Sequence, residues 1–178
     1  GRPLPGVAVR VADEHDRPLP AGRVGGIQIR GENVFQGYWR MPEKTREEFS
    51  ADGWFRTGDV GVLDADGYLS IVGRAKDLII TGGYNVYPKE IELAIDVLPG
   101  VLESAVVGLP HPDFGEAVTA VVVPRAGATL LPQGIIQTLK RELANYKVPK
   151  RVILVPDLPR NAMGKVQKNL LRERYGAA

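Results

Sequence analysis

Residues 73–88, which read GRAKDLIITGGYNVYP, separate two parts of this chain that have different sequence patterns. Residues 74–77 are mostly charged, an apolar run at 78–80 opens a strand-like pattern, and the pair Gly82-Gly83 ends it. Charged residues suit a short, solvent-facing hinge, in which a few backbone torsions absorb a rotation between two rigid bodies. Paired glycines permit positive φ angles and let the backbone approach a ligand closely, although a plain turn before a helix also explains them.

The part before this stretch has the pattern of β-structure. Hydrophobic residues alternate at 7–11, 27–29 and 69–71, and glycine- and aspartate-containing turn signals lie between these runs. Only the segment 40–50 departs from this pattern, and Pro42 places the first turn of a short helix there. Short strands with tight turns predict an antiparallel, barrel-like β subdomain.

After residue 88 the pattern changes to mixed α and β. A helix from Pro88 is predicted by apolar positions at i, i+3, i+4 and i+7, and Gly100 ends it. The remaining pattern predicts strands at 104–107, 118–123 and 152–155, a helix at 132–145 with residues 136, 139 and 143 on one side, and a last helix at 166–175. The fold class is therefore α+β, with a second unit of about 100 residues, a usual domain size.

Composition excludes several classes of protein. The 178 residues include 44% hydrophobic residues and no cysteine, so the chain can form a core but no disulfide or thiolate site. No apolar run approaches the roughly 18 residues of a membrane span, and residues at the N-terminus lack the charged-then-apolar order typical of a signal peptide, so we expect a cytoplasmic protein. From Lys140 onward ten Lys and Arg face three acidic residues, which suits a polyphosphate ligand, a nucleic acid or a solvated surface.

Three segments carry a resemblance to a known family. They are WFRTGDVG at 54–61, GRAKDLIITGGYNVYPKEIE at 73–92 and LPRNAMGKVQK at 158–168. In this order they resemble the motifs of the adenylate-forming (ANL) enzymes, which include acyl-CoA synthetases, luciferases and peptide-synthetase adenylation domains. The resemblance implies that residues 1–75 are the β subdomain that ends a large domain, and that 76–178 are a mobile AMP-binding lid.

The resemblance also implies roles for single residues. Lys165 falls on the catalytic lysine, whose ammonium stabilises charge during adenylyl transfer. Asp59 falls on the carboxylate that binds the ribose, Arg74 on the arginine that assists it, Lys76 on the hinge position, and Gly82 and Gly83 on the loop that lines the pantetheine tunnel. From the residues alone, a solvated loop lysine, a turn-closing aspartate and a surface salt bridge remain open.

Phe114, Tyr146 and Lys147 are candidates for the nucleotide end of coenzyme A, together with Lys150 and Arg151. An aromatic face can stack on adenine while cations meet phosphates, but packing in the core or at an edge also explains the two aromatic residues. His15 and His111 have no second His or Cys nearby in sequence, so neither indicates a metal site or a catalytic triad.

The implied activity of the parent enzyme is the ATP-dependent activation of a carboxylic acid to acyl-AMP, followed by acyl transfer to coenzyme A. The segments NVFQGYWRMPEKT, KDLIITGGYNVYPKEIE and LPRNAMGKVQK resemble malonyl-CoA synthetases, which predicts a malonate-like acid. The family's phosphate loop, acid pocket and Mg²⁺-binding glutamate match no segment here. We therefore expect them in a missing N-terminal portion, and expect the 178 residues alone to be inactive.

Two other functions remain open, and one regulatory partner is predicted. In an adenylation domain that loads a carrier protein, the segment before residue 152 usually resembles LPxYMVP, whereas this chain reads LANYKVPKRV. A non-catalytic module that binds a nucleotide or a partner protein is the second alternative. A lysine acetyltransferase would remove the charge of Lys165, and neither a nucleic-acid partner nor a membrane span is expected.

Overall fold

The computed structural model describes residues 1–176, and the chain divides after Lys76 into two compact units. The first unit is Gly1–Lys76 and the second begins at Asp77. Among the described residues, no helix is long and apolar enough to cross a membrane.

The first unit is built on a four-stranded antiparallel sheet. Its elements are β1 (Val7–Ala12), β2 (Val24–Gly31), α1 (Pro42–Glu48), β3 (Phe55–Leu63) and β4 (Leu69–Arg74). The strands lie in the order β1-β2-β3-β4, so each strand pairs with its neighbour in sequence. Within residues 1–76 no pairing joins β1 to β4, so the predicted barrel-like part is an open sheet.

Between residues 77 and 176, the second unit has five strands and three helices. Its elements are β5 (Ile79–Thr81), β6 (Tyr84–Val86), α2 (Pro88–Asp96), β7 (Val101–His111), β8 (Gly115–Pro124), α3 (Pro132–Glu142), β9 (Arg151–Leu154) and α4 (Lys168–Tyr175). The sheet order is β6-β5-β8-β7, and β9 pairs in parallel with β8. The predicted α+β class is confirmed.

Helices cover both faces of this second sheet. Val118, Ala120 and Val122 of β8 pack with the buried isoleucines of α2 and with Ile135 and Leu139 of α3. The alternate residues Val121 and Val123 pack with Leu158 and with Leu171 of α4. Because β8 is buried on both faces, its sequence is a continuous apolar run instead of an alternating one.

The structure corrects the bounds of several predicted elements. The strands predicted at 104–107 and 118–123 extend to form a long hairpin, β7–β8, whose register reaches His111↔Gly115. Helix α3 ends at Glu142 because the backbone at Leu143 is already extended. On this helix Ile135 is more deeply buried than the predicted Ile136. Helix α1 is shorter than the predicted 40–50, and α4 begins at Lys168, not at 166.

One hairpin was missed. Gly82 and Gly83 have φ angles of +55° and +81°, and they join β5 to β6 with the register Thr81↔Tyr84. Two consecutive positive φ angles are typical of a two-residue turn whose twist matches that of the flanking strands. The glycines therefore form a hairpin tip, and a strand lies between them and α2.

Candidate functional site

In the first unit, Asp59 and Arg74 lie directly opposite each other on β3 and β4. Their side chains form an ion pair, with 3.4 Å between Arg74 Nε and Asp59 Oδ1. The Asp59 side chain is 30% exposed, so the arginine orients the carboxylate without removing it from solvent. A partly exposed carboxylate that accepts hydrogen bonds only is suited to bind two vicinal hydroxyl groups.

Lys76 lies two residues after the end of β4, in the single 3-10 turn Ala75–Asp77, and its side chain is exposed. The chain becomes fixed again at the last residue of this turn. Arg172 Nη2 lies 2.9 Å from Asp77 Oδ1, and Ile79 is completely buried in the core of the second unit. Only Ala75 and Lys76 therefore stand between the end of β4 and the first anchor of the second unit.

In the second unit, Lys165 is exposed on a seven-residue loop at 160–166, which we call the lysine loop. The loop is closed at its base by an antiparallel bridge between Arg160 and Val166. Asn161 N donates to Lys165 O at 3.0 Å, and Gly164, with a φ of +77°, makes the turn. The ammonium of Lys165 is thus carried by an ordered loop.

Gly82 and Phe114 are neighbours in the structure. Gly82 N donates a hydrogen bond to Phe114 O at 2.9 Å, so the tip of the β5–β6 hairpin is tied to the β7–β8 turn. Lys150 Nζ lies 5.5 Å from the centroid of the half-exposed Phe114 ring, and His111 packs against the same ring. The structure therefore brings three of the predicted positions, 82, 114 and 150, to one surface region.

Tyr146 and Lys147 have other contacts. The Tyr146 ring stacks on Tyr84, with 4.6 Å between the centroids and an angle of 20° between the planes. Lys147 Nζ lies 2.7 and 2.8 Å from the two carboxylate oxygens of Glu90, so its charge is already engaged. The sequence analysis did not name Tyr84 as a site residue. Its position directly after the glycine pair could have indicated it, because a residue at the tip of a hairpin exposes its side chain.

Among residues 1–176, no three His, Cys, Asp or Glu side chains are grouped so that they could hold a metal ion.

Two family models match parts of the chain, one in each unit. Residues 90–165 match the family described as AMP-binding enzyme C-terminal domain, and residues 1–39 match the family AMP-binding enzyme. The chain belongs to the AMP-binding, or adenylate-forming, enzymes. Within this family, residues 90–165 correspond to the C-terminal domain.

Two curated relatives are CoA ligases with different acids. The chain is 49% identical over 173 residues to 3-[(3aS,4S,7aS)-7a-methyl-1,5-dioxo-octahydro-1H-inden-4-yl]propanoyl:CoA ligase of Rhodococcus jostii, covering 97% of this chain and 32% of the relative. It is 48% identical over 168 residues to sulfoacetate–CoA ligase of Cupriavidus necator, covering 94% and 33%. The chain thus spans about a third of the length of these relatives.

Two crystal structures of MatB from Rhodopseudomonas palustris are also similar. Both are 60% identical to this chain and cover 99% of it, which is 35% of the MatB chain. The TM-score is 0.95 for the ATP-bound structure and 0.75 for the apo structure. Since sequence and coverage are the same, the corresponding part of MatB is arranged differently in the two crystals.

Proposed function

We propose that the complete protein containing this chain is an ATP-dependent acyl-CoA synthetase. In the first half-reaction, a carboxylate oxygen of the acid attacks the α-phosphorus of ATP, which forms acyl-AMP and releases pyrophosphate. In the second, the thiol of coenzyme A attacks the acyl carbonyl, which forms the thioester and releases AMP. The two CoA ligases among the relatives support this activity.

The observation that carries the proposal is the lysine loop. Lys165 is exposed, and the backbone that carries it is closed by a bridge and a hydrogen bond. A compact ammonium on an ordered loop can be placed beside the α-phosphate and the attacking carboxylate, where negative charge is concentrated during adenylyl transfer. We propose this as the catalytic role of Lys165.

The Asp59–Arg74 pair is proposed to bind the ribose of ATP and of acyl-AMP. The carboxylate of Asp59 accepts hydrogen bonds from the two hydroxyl groups, and Arg74 holds that carboxylate in position through the 3.4 Å ion pair. The same pair serves both half-reactions, because the ribose is present in both ATP and acyl-AMP.

We further propose that residues 76–178 are a lid that rotates about Lys76 between the half-reactions, with residues 1–75 ending the large domain. One orientation presents Lys165 and the other presents the Gly82-Gly83 tip, so that different faces of the lid meet the same bound adenylate. The two arrangements of the corresponding part of MatB support a change of this kind.

Coenzyme A is proposed to lie along the surface formed by Gly82, Gly83, Phe114 and Lys150. Phe114 offers a half-exposed ring, and Lys150 offers an ammonium 5.5 Å from it for a phosphate. Tyr146 contributes through its stack with the exposed Tyr84, whereas Lys147 must leave Glu90 before it can meet an anion.

The acid is proposed to be a small dicarboxylate such as malonate. The resemblance of residues 33–45, 76–92 and 158–168 to malonyl-CoA synthetases supports this choice, and MatB of Rhodopseudomonas palustris is 60% identical to this chain. Relatives named for a bicyclic acid and for sulfoacetate are still 49% and 48% identical to this chain, so this region is similar in enzymes with different acids. We therefore propose that the acid pocket, the phosphate loop and the Mg²⁺ ligands lie in the part of the complete protein outside these 178 residues.

The test is the Lys165→Ala variant of the complete protein, assayed separately in each half-reaction with malonate. We expect acid-dependent exchange of pyrophosphate into ATP to fall by about two orders of magnitude, because charge stabilisation in an active site has effects of this size. Thioester formation from preformed acyl-AMP should stay near the wild-type rate. Acetylation of Lys165 removes the same charge, so it should also slow pyrophosphate exchange and leave thioester formation near the wild-type rate.

An unchanged exchange rate in Lys165→Ala would favour a non-catalytic role for this chain within the complete protein, as a module that binds a nucleotide or a partner. Supplying preformed acyl-AMP with either coenzyme A or a carrier protein distinguishes the synthetase from a carrier-loading adenylation domain. We expect acyl transfer to coenzyme A and none to the carrier protein.

A further inference from the structure

The lysine loop must be ordered by its hydrogen bonds, because it has little buried surface. Residues 160–165 are all exposed, so no core packing fixes the backbone of Lys165. A lysine side chain is itself long and flexible, and a mobile backbone would spread its ammonium over many positions. The rate of a reaction that depends on one position of that ammonium then depends on what holds the loop.

Asn161 fixes the lysine loop through hydrogen bonds to other residues of the same loop, including Lys165. Its side-chain oxygen Oδ1 accepts hydrogen bonds from Met163 N at 3.0 Å and from Lys165 N at 2.9 Å. Gly164 N also donates to Asn161 O at 2.9 Å. One residue therefore fixes three successive amide groups, including the amide of Lys165 itself.

Arg160 ties the loop to the sheet. Its Nη1 donates to Gly164 O at 2.7 Å, directly before Lys165, and its Nη2 donates to the carboxylate of Glu103 on β7. The two nitrogens of one planar guanidinium thus connect the turn of the loop to a strand 57 residues away in sequence. A lysine in place of Arg160 would have one ammonium group and could not reproduce this fork of two nitrogens.

We propose that Asn161 and Arg160 are positioning residues for Lys165. Asn161 sets the conformation of the turn, and Arg160, through Glu103, sets the orientation of that turn relative to the sheet. This inference rests on the proposed catalytic role of Lys165. Neither side chain needs to touch a substrate, because both act through the backbone that carries the ammonium.

The experiment compares variants of the complete protein in the two half-reactions, with Lys165→Ala as the reference. We expect Asn161→Ala to lower kcat for acid-dependent pyrophosphate exchange about tenfold, since two hydrogen bonds to the turn are lost. The KM for ATP should stay within about twofold, and thioester formation from preformed acyl-AMP should not change.

Two further variants separate positioning from a general structural role. Asn161→Asp keeps the acceptor oxygen and should restore most of the exchange rate. Arg160→Lys keeps the charge but not the fork, and should lower the exchange rate several-fold. Asn169→Ala, at an exposed asparagine on α4, is the matched control and should behave as the wild type.

The outcomes distinguish the two proposals. If Lys165→Ala loses exchange and Asn161→Ala does not, the positioning role is wrong while the proposed function stands. If Asn161→Ala slows both half-reactions equally and Asn161→Asp does not restore them, Asn161 has only a structural role. If Lys165→Ala exchanges pyrophosphate at the wild-type rate, the proposed catalytic role of Lys165 fails, and the positioning role with it; if the wild-type protein itself shows no acid-dependent exchange, the proposed function fails.

Discussion

At the scale of the residue, Asp52 shows how one ion pair gives the first unit a dependence on pH. Arg10 donates from both terminal nitrogens to the two oxygens of Asp52, at 2.8 and 3.1 Å. Arg10 and the hydroxyl group of Ser50 together lower the pKa of Asp52 from 3.8 to about 2. The same guanidinium lies 4.5 Å from the centroid of the buried Trp54 ring, so the pair is attached to the core.

We predict that the Asp52 pair stabilises the first unit above about pH 4 and loses this effect as the pH falls toward 2. The folded-state pKa lies below the unfolded value, so the unfolded chain binds the proton first and stability falls with pH in this window. Urea unfolding of the chain, followed by tryptophan fluorescence, should show a difference between wild type and Asp52→Asn that shrinks between pH 4 and 2.

The matched control for this measurement is Glu14→Gln, at an exposed carboxylate that faces only His15 at 3.7 Å. It should unfold like the wild type at every pH. A difference between wild type and Asp52→Asn that stays constant from pH 6 to pH 2 would contradict the role given to Asp52.

At the scale of the element, Gly108 leaves the space for the side chain of Glu116 that holds β5. A β-carbon at this position would lie 2.5 Å from Glu116 Oε1 and 3.0 Å from Ile79 Cγ2. Glu116 occupies this space because its Oε2 accepts a hydrogen bond from Ile80 N at 2.7 Å. The backbone pairing of β5 with β8 is limited to Thr81↔Gly115, so this side-chain bond is a main connection between the two strands.

We predict that Gly108→Ala destabilises the second unit by about 1–3 kcal/mol, because it displaces the Glu116 carboxylate and crowds Ile79. Thermal unfolding measures the loss. Gly134→Ala is the matched control: this glycine lies in α3, where a β-carbon has no neighbour closer than 3.9 Å. Alanine in a helix is favoured by up to about 1 kcal/mol, so the control should be as stable as the wild type or more stable. Equal stability of Gly108→Ala and wild type would show that Glu116 moves aside freely.

In the second unit, the sequence predicted those elements whose hydrophobic pattern involves only neighbouring residues. The apolar spacing of residues 88–98 predicted helix α2. The continuous apolar run at 118–123 predicted β8, and such a run is typical of a strand that is covered on both faces. The apolar run at 78–80 indicated β5, but its hairpin with β6 was not predicted, because a three-residue strand contains too few residues to show a period. The parallel pairing of β9 with β8 was also beyond a local pattern, since it joins segments that a whole helix separates.

At the scale of the whole molecule, the proposed rotation about Lys76 gives a prediction for the complete protein. Proline fixes φ near −65° and restricts the residue before it, so Lys76→Pro limits the torsions of the two residues between the anchors. We expect one half-reaction to slow at least tenfold, as measured separately by pyrophosphate exchange and by thioester formation from acyl-AMP. The other should stay within about threefold.

Lys76→Ala controls for the loss of the side chain. It keeps the torsional freedom, and the side chain of Lys76 is exposed, so both half-reactions should stay within about threefold of the wild type. Wild-type rates in both half-reactions for Lys76→Pro would refute a hinge at this residue.

The sequence by itself determined the α+β class and the three motifs that identify the adenylate-forming family, because alternation and short motifs are properties of neighbouring residues. Only the tertiary structure decided which partners these residues have: Glu103 with Arg160, Tyr84 with Tyr146 and Glu116 with Ile80. Each of these contacts joins residues more than 30 positions apart. Strand register and the packing of helices on the sheet set such contacts, and no local pattern contains them.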